Sequence, residues 1–182
     1  DKIKEIVTPF NCPIIEACSE SNQTLINDYV DPGSLGVDRW LTAMGAWKIQ
    51  KKALLVINAG TAITVDLIAL DTQGRPHFKG GMILPGVAIS MAILNNSTSL
   101  IDVGMGICQY PSLNTTDAVT TGIFTAIQGA VNQVCKKLPA SLPILLTGGD
   151  AKTIYEQADN DWKARIVLEE NLLFEGLTLL NV

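Results

Sequence analysis

Short apolar runs rich in β-branched residues alternate along the chain with stretches whose apolar positions recur every three or four residues, a pattern that predicts an α/β architecture. CPIIEA (12–17) reads as a short strand. VDRWLTAMGAWKIQ (37–50) reads as a helix, with Trp40, Met44 and Trp47 on one apolar face that core packing explains. ALLVIN (53–58) and TAITVDLIAL (61–70) are separated only by Ala59-Gly60, too few residues for a helical crossover, so they predict an antiparallel hairpin. DTQGRP (71–76) closes a second hairpin onto HFKGGMILPG (77–86), whose glycines are expected to weaken any regular strand.

A helix over 87–95 follows, then an irregular stretch over 97–113 in which Gly104, Gly106 and Pro111 break any period. Asn114 or Thr115 caps a long helix reaching about Lys137, with Val119, Ile123, Ile127, Val131 and Val134 spaced by three or four. PILLTGG (143–149) reads as a buried strand ending in a diglycine, DAKTIYEQA (150–158) as a helix, RIVLE (165–169) as the last strand and NLLFEGLTLL (171–180) as the last helix.

Composition narrows the function. With 182 residues, 47% hydrophobic and 17% charged, the chain can bury one or two real cores. Net charge is −5, and the 13 Lys and Arg form no basic stripe, which argues against nucleic acid as a partner. No apolar run approaches the roughly 20 residues that span a bilayer, and the DKIKEIV start lacks a signal-like apolar core, so the expected compartment is the cytoplasm. Cys12, Cys18, Cys108 and Cys135 form no CxxC pair and read as buried thiols; the one histidine, His77, sits in a turn-rich segment and reads as a surface or interface residue.

Candidate chemistry gathers at three glycine-bearing strand ends: Asn58-Ala59-Gly60-Thr61, Gly80-Gly81 through Pro85-Gly86, and Thr147-Gly148-Gly149-Asp150. Glycine lets backbone N–H groups approach a phosphate, and the neighbouring hydroxyls add donors, although each turn alone reads equally as a structural hairpin. The fourth element is Gly36-Val37-Asp38-Arg39 at a loop-to-helix junction. Asp38 and Arg39 could be a helix N-terminal charge and a solvated cation; the functional alternative makes Asp38 a proton acceptor for a substrate hydroxyl and Arg39 the holder of an anionic group.

Together these strings resemble the type III pantothenate kinases. YVDPGSLGVDRW (29–40) is similar to the family's substrate motif, NAGTAITVD (58–66) to its second phosphate motif, FKGGMILPG (78–86) to its F-x-G-G-x-I-x-P-G segment, NTTDAVTTG (114–122) to its next motif and ILLTGGDA (144–151) to its nucleotide-side strand. The resemblance implies the actin-like ATPase fold of the acetate and sugar kinase, Hsp70 and actin superfamily, two ribonuclease H-like domains with ATP between them. Residues 1–55 would be the remainder of the first domain and 56–182 the second. It further implies ATP with magnesium, pantothenate as substrate and a homodimer whose sites draw on both subunits. Asp38 would be the general base. Tyr29, Gly36, Val37, Arg39 and Thr115 would line the pantothenate pocket, and Thr61 would contact an ATP phosphate.

Two departures accompany the resemblance. Family members begin with a strand and a D-x-G-N-T loop that cradles phosphates, and nothing of that kind precedes Asp38, so the 182-residue chain alone is expected to lack turnover. Asn58 stands where the family usually has an Asp that binds a monovalent cation, K+ or NH4+; Asn keeps an oxygen but loses the charge, and Asp66 is the candidate compensator. The alternatives to an enzyme of this kind are a noncatalytic relative similar to the Bvg accessory factor proteins, and another small-molecule kinase of the superfamily.

Overall fold

A computed structural model describes residues 16–97 and 103–180. The elements are β1 (Ile26–Asn27), α1 (Val37–Gln50), β2 (Leu54–Ala59), β3 (Ala62–Leu70), β4 (Pro76–Pro85), α2 (Val87–Ser97), α3 (Thr115–Cys135), β5 (Ile144–Thr147), α4 (Ala151–Gln157), α5 (Asn160–Lys163), β6 (Ile166–Leu168) and α6 (Leu172–Leu177). They build one six-stranded mixed sheet in the order β1-β4-β3-β2-β5-β6. The hairpins β2–β3 and β3–β4 are antiparallel, and β5 and β6 join in parallel after helical crossovers. Three antiparallel strands followed by two parallel ones is the arrangement expected of an actin-like ATPase domain.

Alternation along the strands sends side chains to two cores. On one face Leu55, Ile57, Ile63, Val65, Ile144 and Leu146 pack with Ile123, Ile127 and Val131 of α3 and with Trp162. On the other Leu54, Val56, Ile68, Phe78 and Leu145 meet Trp40, Ala43 and Met44 of α1 and Leu172 of α6. The predicted stripe on α1 is therefore core, with Trp40 and Met44 fully buried. Helix α1 ends at Lys51, whose left-handed φ of 49° closes the last turn and reverses the chain into β2. The N-terminus of α1 is thereby brought to the C-terminal end of β2.

Several expectations are adjusted. The strand expected over 12–17 lies outside the described residues except for 16–17, which carry no regular structure. Gly80 and Gly81 do not end a strand; they sit inside the ten-residue β4, where a register shift opposite Asp66–Ile68 absorbs them. Cys18 is exposed, and Cys108 and Cys135 are half-buried, all three free thiols; burial pushes the Cys135 thiol up, against the pull of Arg165. His77 is half-buried, its two ring nitrogens within 2.8 Å of Asp28 and 3.4 Å of Asp71. Among the described residues no helix is long and apolar enough to cross a membrane.

Candidate active site

The chain approaches α1 through a short 3-10 turn at Pro32–Ser34, with the Asp31 carboxylate accepting the Gly33 N–H. Gly36 caps α1, and Asp38 lies in its first turn, where a carboxylate is favoured by the helix dipole. Asp38 is exposed, and its carboxylate has no hydrogen-bond partner among the described residues. The backbone nevertheless holds it, since the Asp38 carbonyl accepts from Thr42 Oγ1 at 2.7 Å. This is a carboxylate presented to solvent from a rigid element.

Arg39 is neither solvated nor free. With a relative exposure of 6%, it donates Nε–H and Nη2–H to the two oxygens of Asp66 at 3.2 and 2.5 Å, and Nη1–H to Tyr29 Oη at 2.7 Å. Its guanidinium also lies 5.6 and 5.7 Å from the ring centres of Tyr29 and Phe78. Burial alone would lower the Arg39 pKa, but Asp66 outweighs it and raises the group above its ordinary value. Asp66 is thus occupied by Arg39 and is not available to supply charge at Asn58.

The second half of the site is the end of β2. Asn58 pairs with Thr64 on β3 and Thr147 on β5, so three polar side chains cross adjacent strands on the face that α1 covers. Sequence reasoning singled out Thr147 at its strand end but passed over Thr64, because a threonine in an apolar run reads as strand propensity. Gly148 has φ +100°, and a Cβ there would overlap the Ala59 carbonyl and Asn58 Oδ1, so the backbone of this turn is packed against bare glycine. The Thr61 carbonyl accepts the Gly86 N–H at 3.0 Å, while Thr61 itself is exposed. Beyond Gly148 and Gly149 a cleft of about 630 Å³ opens between Lys152, Tyr155, Leu168 and Glu169.

Thr115 stands apart. It is the first residue of α3, whose helix is capped by Asn114 accepting the Asp117 N–H, and α3 packs on the sheet face opposite α1. Thr115 there borders an apolar groove of about 560 Å³ with Leu84, Pro85 and Ala118. The structure therefore joins Tyr29 to Arg39 and keeps Gly36, Val37 and Asp38 beside them at the start of α1, but gives Thr115 no described contact with that group.

The geometry can be set against known proteins. The family profile described as type III pantothenate kinase matches residues 2–137. The chain belongs to the type III pantothenate kinase family. It is 33% identical over 181 residues to the type III pantothenate kinase of Methylobacillus flagellatus, covering 97% of this chain and 71% of that protein. It is 38% identical to that of Dechloromonas aromatica over 83% of this chain and 60% of the relative. Across such type III pantothenate kinases the matched region ranges from 50% to 71% of their length. Among solved structures, a Baf family protein of Campylobacter jejuni is 26% identical with a TM-score of 0.56, over 80% of this chain and 62% of that one.

Proposed function

We propose that the complete protein transfers the γ-phosphoryl group of ATP to the hydroxyl of pantothenate, giving 4′-phosphopantothenate at the first step of coenzyme A synthesis. The observation that carries this reading is the exposed carboxylate of Asp38, with no partner among the described residues, beside an anchored Arg39 on the first turn of α1. Asp38 accepts the proton of the attacking hydroxyl, which is the task a positioned base performs in phosphoryl transfer. Tyr29, Gly36, Val37 and Arg39 line the pocket around it. Arg39 orients the substrate through those N–H groups not engaged by Asp66 and Tyr29.

On the nucleotide side, the Asn58–Thr61 turn lies beneath the phosphates, with Thr61 as a hydroxyl donor, and the cleft past Gly148 and Gly149 takes the nucleoside. Magnesium bound with ATP would neutralise phosphate charge. Such an ion arrives on the phosphates and keeps several of its waters. A monovalent cation at Asn58 would meet only neutral oxygens, its amide carbonyl and the neighbouring backbone, and would be held weakly. The free thiols at Cys18, Cys108 and Cys135 suit the reducing cytoplasm.

Thr115 enters this scheme through a homodimer. The groove beside it and the exposed Met105, Ile107, Tyr110 and Leu113 form an apolar surface on the sheet face away from Asp38, and a second subunit there would receive Thr115 into its own pocket. Incubating the full-length protein with ATP and pantothenate, and following ADP and 4′-phosphopantothenate together, tests the reading. Stoichiometric appearance of both supports it; ADP release independent of pantothenate contradicts it.

A further inference from the structure

The buried partner of Arg39 has no part in the scheme above, yet three separate features of the sheet are arranged around it. The first is the pairing itself. Asp66 meets the Nε and Nη2 edge of Arg39 side-on, with side-chain exposures of 6% and 3% for the pair, and this two-point contact fixes the plane of the guanidinium as a single contact would not.

The second is the irregularity in β4. Asp66 faces Gly81, but Ile68 faces Phe78, so Lys79 and Gly80 together oppose the single residue Leu67. Gly80 takes φ +86°, which absorbs the extra residue and leaves its open face toward Tyr29, where a Cβ would come within 3.3 Å of Cε1. The third is Gly81, where a Cβ would overlap Asp66 Oδ1 and the Val65 carbonyl. The two glycines that sequence alone suggests for phosphate binding instead clear the space for the two side chains that grip Arg39.

We infer that Asp66 is a positioning residue for substrate recognition, acting only through Arg39: it orients the guanidinium, cancels its charge inside the fold, and leaves it as a directed N–H array. The inference rests on the functional reading that puts Arg39 in the pantothenate pocket. A carboxylate at position 66 fills both acceptor sites; the amide of Asn fills one and leaves a buried, uncompensated cation. The effect should therefore fall on substrate binding and not on the phosphoryl step.

The test compares single and paired variants of the full-length protein by their steady-state constants for pantothenate and for ATP. Asp66→Asn and Arg39→Met are each expected to raise the KM for pantothenate about tenfold or more, the size of a lost charge-assisted hydrogen bond, and to leave the KM for ATP unchanged. The double variant Arg39→Met/Asp66→Leu replaces the pair with apolar side chains, a change that buried pairs commonly survive, and gives a readout if Asp66→Asn does not fold. Its KM for pantothenate should match that of Arg39→Met alone, and Tyr29→Phe should shift the same constant in the same direction. A double variant clearly worse than Arg39→Met, or a folded Asp66→Asn protein with the wild-type KM, overturns the inference while the kinase reading stands. Wild-type protein that does not phosphorylate pantothenate overturns both.

Discussion

At the start of α1 the candidate site is built from side chains: Arg39, Asp66 and Tyr29 are buried or half-buried, Arg39 is bonded to both of the others, and Phe78 backs them. At the end of β2 it is built largely from backbone, with the Asn58–Thr61 turn lying against Gly148 and hydrogen-bonded to Gly86, and with Asn58 and the threonines offering side-chain polar groups. The two regions should consequently fail in different ways. The first is sensitive to which polar atoms are present, the second to whether a Cβ is present at all.

The largest expected effect is in the first region. Asp66→Asn leaves a buried cation with half its partner and should cost about 3–5 kcal/mol of stability, read by denaturant unfolding, whereas Arg39→Met/Asp66→Leu should recover most of it. Equal loss in both would mean that the pair's packing, not its charge balance, is what matters. The second region is tested by Gly148→Ala, which combines a φ of +100° with overlap against the Ala59 carbonyl. It should cost about 1–3 kcal/mol. Gly149→Ala, with no heavy atom within 4 Å of the added Cβ, serves as its control and should stay within about 0.5 kcal/mol of wild type.

Asn58→Asp sharpens the contrast, since it converts a neutral oxygen into a charged ligand without disturbing the backbone. Initial rates of the variant should depend more steeply on potassium than those of wild type. A wild-type enzyme that is inactive without potassium and saturates at a low concentration of it would place the ion on other ligands. The smallest effect is an acid one, at the sheet edge next to Tyr29. Burial would raise the Asp28 carboxyl, but the bonds from Lys79 and His77 outweigh it and hold the group below its ordinary 3.8. Because the folded value is the depressed one, this contribution is complete above pH 4 or so and is lost as pH falls further. Thermal unfolding between pH 5 and 3 should show the loss, and Asp28→Asn should flatten it.

The side-chain region was also the more legible in the amino-acid sequence, but only in part. The letters of GVDR put Asp38 and Arg39 at a loop-to-helix junction, and the helix over 37–50 follows from its apolar stripe. What the letters could not supply was the partner of Arg39, because Asp66 lies 27 residues away and is brought opposite only by the packing of α1 on the sheet. Read alone, Asp66 looked like a compensating ligand for Asn58. Gly80 and Gly81 misled for a related reason: a glycine pair signals freedom of backbone, and only the neighbouring strand shows what that freedom is for. The hairpins and α3 were legible from period and turn chemistry, whereas β1 and α5, with two and four residues, are too short to carry any period.

If Asp38 is the base on the pantothenate hydroxyl, the turnover of the full-length Asp38→Asn protein beside wild type reveals it. The substitution keeps the size of the side chain and removes its basicity, at an exposed position with no side-chain partner among the described residues. The variant's kcat should be lower by about 100-fold or more with unfolding midpoints unchanged. Phosphorylation of pantothenate at the wild-type rate by the folded variant would contradict it.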